Sequence, residues 1–428
     1  MIFKLYTIMS YLLQPFIFLE MLRRSIKQPA YRSRLKERYA LYSKQKKVTK
    51  GGVIIHAASV GEVIAITPLV KHLQKRYPNL PLVFTTVTPT GSERVKAAFG
   101  DTLSHFYLPY DLPIFVKKYL NFIQPKAIIV VETELWPNLI AQAHQQKIPF
   151  IIANARLSPR SAKRYGAIKK WLAPMFNNIE LIMAQDTVSA DRYLELGVKP
   201  QKLVNTGNLK FDLNVNEQQY QEIKETIKSL NITDRPIWVA GSTHEGEETL
   251  LLETHKQLLK TYPNLILILV PRHPERFNSV AETVEQSNLH FIRRSANQPL
   301  TNETSVLLGD TMGEMMLFYG MADIAFVGGS LIKHGGHNPL EPIAFKIPVI
   351  SGGHTYNFTE IYEKLKNVNG FIEVASDVDK LTQAVEFLLK NANERQQIGE
   401  AGFQVLKENQ GALQRHLDLL KPYLEEKE

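Results

Sequence analysis

The sequence predicts an α/β protein built from two successive parallel-sheet halves behind an apolar N-terminal helix, and three observations carry that expectation. Apolar runs of strand length recur along the chain, each ending in Gly, Asp, Asn, Ser or Glu and each followed by a stretch of helical period. Strands alternating with helices on this spacing pair in parallel, because a parallel connection needs a crossover. At 428 residues with 44% hydrophobic content the chain can bury a large core and suits two domains better than one. The polar stretch Asn214 to Arg235 marks the join.

The start of the chain, MIFKLYTIMSYLLQPFIFLEMLRR, is apolar for nearly twenty residues, with Lys4, Gln14 and Glu20 as interruptions. Phe18, Leu19, Glu20 and Met21 stand where a cleaved leader would need small residues, so cleavage is not expected. Two readings stay open: a short spanning helix with its basic flank in the cytoplasm, or an interfacial helix with Lys4, Thr7, Tyr11 and Gln14 along one face. A buried helix with a solvated basic tail is the plain alternative. The net charge of +9 is local: residues 1–50 hold 12 Lys or Arg against 2 acidic residues, leaving 39 against 40 elsewhere. That distribution points to an anionic membrane surface and away from nucleic acid. The lack of cysteine excludes a disulfide framework and thiolate metal ligands.

The first half, 51–212, opens with a strand at Val53 to Ile55, a small-residue loop His56 to Gly61 and a helix from Glu62 to Tyr77, a Rossmann-like beginning without G-x-G-x-x-G. Glu62 at the helix opening is either a cap favoured by the helix dipole or a general base. Leu82 to Thr86 and Phe106 to Leu108 continue the pattern. Ala127 to Val131 is a continuous apolar strand followed at once by Glu132 and Glu134, two carboxylates that solvation does not explain, one of which could pair with Arg94 or Arg156. Strands at Phe150 to Ala153, Leu181 to Ala184 and Leu203 to Thr206 follow. Lys210, where the half ends, can hold a carboxylate or phosphate and steady charge on a departing group, or is simply a surface lysine.

The second half, 213–428, restarts with a strand at Pro236 to Ala240 and the loop Gly241 to Glu247, then Leu265 to Val270 leading into Pro271, Arg272 and His273. Arg272 at a strand end can clamp a phosphate. Val306 to Leu308, a helix from Gly313 to Met321, Ile324 to Val327, and Pro348 to Ile350 complete the sheet. In open parallel sheets ligands lie beyond the carboxyl ends of the strands. Met312, Gly313 and Glu314 at one helix start, and Asn338, Pro339, Leu340 and Glu341 at another, suit a nucleotide phosphate and its ribose. Otherwise the glycines only make turns and Asn338 only caps. The D-x-D at Asp377 to Asp379 opens a helix and reads as a cap. His334 and His337 share a loop without a third ligand nearby, so no metal is expected. Two helices, Leu381 to Leu389 and Ala401 to Leu420, close the second domain.

Two such halves facing a cleft suit the GT-B arrangement of glycosyltransferases. The motifs HAASVGEV (His56 to Val63), TVTPTG (Thr86 to Gly91), ETELWPN (Glu132 to Asn138), NARLS (Asn154 to Ser158), GSTHEGEE (Gly241 to Glu248), PRHPERF (Pro271 to Phe277), GDTMGEM (Gly309 to Met315) and GGHNPLEP (Gly335 to Pro342) resemble those of the bacterial Kdo transferases over essentially the full length. Kdo is 3-deoxy-D-manno-oct-2-ulosonic acid. The resemblance implies transfer of Kdo from CMP-Kdo to the lipid A precursor, with inversion and without a cofactor, at the cytoplasmic face of the inner membrane. It implies Glu62 as general base, Glu132 and Lys210 as transition-state stabilisers, and the segments at 271–273, 312–314 and 338–341 as the CMP site. By the same resemblance 1–50 is a membrane anchor with a basic connector, 51–212 the acceptor domain and 213–428 the donor domain. The competing expectations are a transferase or epimerase using a UDP-sugar, and a membrane-bound nucleotide-sugar sensor without turnover.

Overall fold

A computed structural model describes residues 2–42 and 48–425. Connector residues 43–47 and the side chains of Lys4 and Lys27, counted above in the basic flank, lie outside the described residues. The chain forms two compact units, one running to Asp212 and including everything from Gln410 on, the other spanning Leu213–Asn409.

The first unit holds a seven-stranded parallel sheet: β1 (Val53–His56), β2 (Leu82–Thr86), β3 (Ser104–Tyr107), β4 (Ala127–Val131), β5 (Phe150–Ala155), β6 (Leu181–Ala184) and β7 (Leu203–Asn205), in the order β3-β2-β1-β4-β5-β6-β7. Alternation along each strand feeds two cores. Ile54, Ile128, Val130 and Ile152 pack on one face with Val116, Leu120 and Ile140. Val53, Ile55, Ile129 and Ile151 pack on the other with Ile66, Leu69 and Leu73. Both faces are covered, which is why these strands read as unbroken apolar runs.

The second unit repeats the plan with β8 (Ile237–Thr243), β9 (Ile266–Pro271), β10 (Phe291–Arg293), β11 (Val306–Leu308), β12 (Ile324–Val327), β13 (Val349–Gly352) and β14 (Phe371–Val374), in the order β10-β11-β9-β8-β12-β13-β14. Every pairing in both sheets is parallel, with β1 registered Val53 to Leu82 and β8 registered Ile237 to Ile266.

One boundary is corrected. The second domain was expected to run through 428, yet the helix Ala412–Leu424 groups with the first unit. Its apolar positions Leu417, Leu420 and Leu424 lie in the core beneath β1 and β4. Asp212 grips its start, accepting the N–H groups of Gly411 at 2.7 Å and Leu413 at 2.6 Å. A helix amphipathic enough to close either sheet carries no mark in its own sequence of which one it closes.

Candidate functional site

Within the first unit, side chains from the carboxyl ends of β1 and β4 and from the chain after β7 form an acidic cluster around one lysine. Its anchor is the helix Val60–Arg76, which begins earlier than the expected Glu62 because Ser59 serves as its N-cap, accepting the Glu62 N–H at 3.3 Å. Glu62 therefore stands in the first turn and folds back on its own loop. Its carboxylate accepts the Ala58 N–H at 2.8 Å and the Ser59 hydroxyl at 2.8 Å. Those bonds fix its position but do not keep it acidic. Burial, then the charge of Glu132 and more weakly that of Glu134, push its pKa up to about 7.

Glu132 and Glu134 follow β4 as the sequence indicated, and among the described residues the cation paired with Glu132 is Lys210 and not Arg94 or Arg156: Lys210 Nζ lies 3.4 Å from Glu132 Oε1. Lys210 sits in the short helix Leu209–Phe211, which Asn208 caps. Glu132 adopts φ 58 and Asn154, in β5, φ 50. Such left-handed backbone is costly for residues with a side chain and collects at functional sites. Glu134 is raised as well, by burial first and then by Glu132.

A residue the sequence passed over as loop, His56, completes this cluster. It ends β1 fully buried, with Nδ1 2.9 Å from Thr85 Oγ1 and Nε2 4.0 Å from Glu134 Oε2. Burial lowers it to about 4, so it stands neutral beside the carboxylates. Its place as the last residue of an apolar strand was the signal available.

Within the second unit the loops at the strand ends divide into those with open backbone and those whose groups are already used. The Gly328-Gly329-Ser330 loop after β12 is occupied by the protein itself. The Glu247 carboxylate, at the start of the helix Glu247–Leu259 that follows β8, accepts the N–H groups of Gly329, Ser330 and Leu331 at 2.7, 3.0 and 3.0 Å, and of His244 at 3.0 Å. Gly329 has φ +70, which permits this curl of donors around one anion.

The helix expected from Gly313 runs Met315–Gly320, so Met312 and Gly313 form an open turn ahead of it. The Glu314 carboxylate is engaged by Arg294 at 2.8 Å and by the Thr311 hydroxyl. The other short helix is Leu340–Ile343, opening two residues later than expected. Asn338 Oδ1 accepts the Leu340 N–H at 3.2 Å, and the Pro339 and Leu340 side chains are buried, so those two can meet a ligand through backbone only. Arg272 and His273 are partly exposed just past β9.

The expectation that His334 and His337 lack a third partner is overturned. His244, from the loop after β8, places Nε2 2.7 Å from His337 Nε2, and its ring lies 3.8 Å from that of His334. Ligand atoms of all three fall within 4.8 Å of one another. Burial and the surrounding positive groups, with Arg272 next for His337, lower His244 to about 4 and His337 to about 3. Burial, the larger cause, leaves these two rings neutral.

Two parallel Rossmann-like units with polar strand ends make up the α/β fold of GT-B glycosyltransferases. Residues 237–405 match the family described as "Glycosyl transferases group 1". Residues 33–213 match that described as "3-Deoxy-D-manno-octulosonic-acid transferase (kdotransferase)". The chain is 56% identical to a 3-deoxy-D-manno-octulosonic acid transferase of Haemophilus influenzae over 98% of both chains. It is 33% identical to that of Bordetella pertussis over 87% of both. A UDP-GlcNAc 2-epimerase of Neisseria meningitidis, bound to UDP-GlcNAc, superposes with TM-score 0.59 at 14% identity, covering 86% of this chain and all of that one, and shares the fold alone. The chain belongs to the 3-deoxy-D-manno-octulosonic acid transferases: it is a Kdo transferase.

Proposed function

We propose that this Kdo transferase takes Kdo from CMP-Kdo and attaches it to the lipid A precursor, lipid IVA, with inversion at the anomeric carbon, at the cytoplasmic face of the inner membrane. The observation that carries the mechanism is Glu62, positioned by Ala58 and Ser59 and raised to about 7 by burial and Glu132. A base poised near neutrality takes the proton of an acceptor hydroxyl as the oxygen attacks C2 of Kdo. The bond from C2 to the phosphate oxygen breaks, and CMP departs with the electron pair. Attack from the face opposite the leaving group gives inversion.

Lys210 supplies positive charge for a carboxylate or phosphate, while Glu132 holds the lysine and lends negative charge to a cationic transition state. The nucleotide is received in the second unit by Pro271, Arg272 and His273, by the open turn Met312 to Glu314, and by Asn338, Pro339, Leu340 and Glu341. Arg272 and neutral imidazole N–H groups suit its phosphate, and the reaction is read as running without a metal or other cofactor. The anionic membrane surface is the remaining partner, met through the N-terminal helix and its basic flank.

Incubating the protein with CMP-Kdo and lipid IVA tests the reading, with Kdo-bearing lipid and CMP as expected products. Glu62→Gln should abolish transfer while CMP-Kdo still binds, and loss of binding to the same degree would remove Glu62 from the role of base. CMP should compete with donor and UDP should not; the reverse would favour a UDP-sugar enzyme.

A further inference from the structure

The stretch Leu5–Ile26 is long and apolar enough to cross a bilayer. The contacts of the helix Ile2–Lys27 argue for another placement. Tyr6 donates its hydroxyl to Asp111 at 3.0 Å, and Thr7 donates to Asn138 at 2.9 Å. Asp111 is buried and also accepts the N–H groups of Asn138 and Leu139 at 2.9 and 2.8 Å, so its place in the unit is fixed. At the far end of the helix, the Tyr110 hydroxyl reaches Met21 Sδ at 3.4 Å, and Met21 and Ser25 are buried. Two consecutive residues of one loop thus hold positions 6 and 21, which a helical rise of about 1.5 Å per residue sets roughly 22 Å apart. A helix crossing a hydrocarbon core of about 30 Å would carry one of those positions away from the unit.

The better-covered residues of the helix, Thr7, Ser10, Gln14, Ile17 and Met21, recur at spacings of three and four, a single stripe turned to the unit. Away from that stripe Leu12, Phe16, Leu19 and Ile26 are 64, 67, 60 and 74% exposed. An apolar surface of that extent is stable only when covered. The helix Pro137–Gln145 packs against both the N-terminal helix and the helix Lys169–Asn177. Around the start of the latter, Arg160, Lys163, Arg164, Lys169 and Lys170 are exposed, with Ile168 and Trp171 also exposed among them. Cations interleaved with an exposed tryptophan match the boundary of an anionic bilayer.

We infer that the N-terminal helix does not span the membrane but lies along the first unit as one edge of a monotopic surface, its apolar side in one leaflet and the Arg160 to Trp171 corner on the same anionic headgroups. This rests on the membrane association proposed above. The natural chain has no cysteine, so single cysteines report without background. One full-length variant carries a cysteine in a short polar tag ahead of Met1; a second carries Lys36→Cys beyond the helix. Both are expressed in a Gram-negative host and probed with a membrane-impermeant maleimide.

Both cysteines should react in inverted inner-membrane vesicles, and neither in intact spheroplasts. Labelling of the tag from outside the spheroplast overturns the inference and leaves membrane association standing. Recovery of the protein in the soluble fraction overturns both. Purified full-length protein should also bind preformed anionic phospholipid vesicles, with Phe16→Glu and Leu12→Glu together lowering the bound fraction at least tenfold; unchanged binding would remove the helix from the contact surface.

Discussion

Lys210 Nζ lies 3.4 Å from Glu132 Oε1, both side chains less than a fifth exposed, across 78 positions of sequence. Glu132 keeps the cation in place within the cluster, where its positive charge can meet a substrate anion. Removing the lysine takes away positive charge in a poorly solvated site, where one such donor is worth roughly 10²–10³ in rate. Lys210→Met is therefore expected to lower kcat by about that factor, with Lys210→Arg recovering part of it. Steady-state kinetics at saturating acceptor checks this; an unchanged kcat would reduce Lys210 to a structural partner of Glu132.

The pH dependence follows from Glu62. A base with pKa about 7 is protonated and idle below that value, so kcat/KM should rise about tenfold per pH unit up to pH 7 and level off above it. Stability moves the other way. Between an ordinary carboxylate value near 4.5 and about 7 the folded chain holds a proton that the unfolded chain has released, so this group's contribution falls as pH rises through that window. Glu62→Gln should be inactive yet gain melting temperature relative to the parent as pH rises from 4.5 to 7. Melting curves at several pH values read the difference directly.

Much of this was legible in the sequence because burial on both faces of a parallel sheet leaves continuous apolar runs, as at Ala127 to Val131 and Leu265 to Val270. Glu132 could be picked out because it directly follows such a run, whereas Glu62 read equally as a cap and Lys210 as a surface lysine until the family resemblance gave them roles. What stayed hidden depends on distance in the chain. His244 meets His337 across 93 positions, and no local pattern announces it. The Gly-Gly-Ser loop carries the composition of a ligand cradle, and only coordinates show its donors taken by Glu247. The helix starts at Met315 and Leu340 moved inward because short helices have weak periodicity and their ends are set by tertiary contacts.

Glu247 makes a separate prediction. Its buried carboxylate satisfies four backbone donors joining the loops after β8 and β12, and without it those buried N–H groups lose that acceptor. Truncation of such a hub costs about 3–5 kcal/mol. Glu247→Ala should lower the urea midpoint markedly and weaken CMP-Kdo binding, although its carboxylate is already engaged by protein. Glu247→Gln, which keeps one acceptor oxygen, should be intermediate in both. Chemical denaturation together with donor titration separates this from direct ligation, which would weaken binding with little change in midpoint.

The last helix offers a test of how the first unit is closed. His416 is fully buried; its Nε2 is 3.1 Å from the Asn154 nitrogen and accepts that N–H, so Nδ1 carries the proton donated to the Ala412 carbonyl at 2.7 Å. Asn154 holds its left-handed backbone partly through this bond, and its Oδ1 in turn accepts the Leu209 N–H at 2.9 Å, one residue from Lys210. His416→Ala leaves a buried donor unpaired, at a cost of about 1–3 kcal/mol. It should also disturb Lys210, lowering kcat without touching donor affinity in the second unit. Burial lowers His416 to about 4 against an ordinary 6.5, so between those values the unfolded chain binds a proton that the folded chain refuses. The stability His416 provides is therefore complete above pH 6.5 and is lost as pH falls toward 4. The gap between parent and His416→Ala in denaturant midpoint should be widest at pH 7.5 and shrink by pH 4.5; a gap that stays constant across that range would mean that His416 is not held neutral against Asn154.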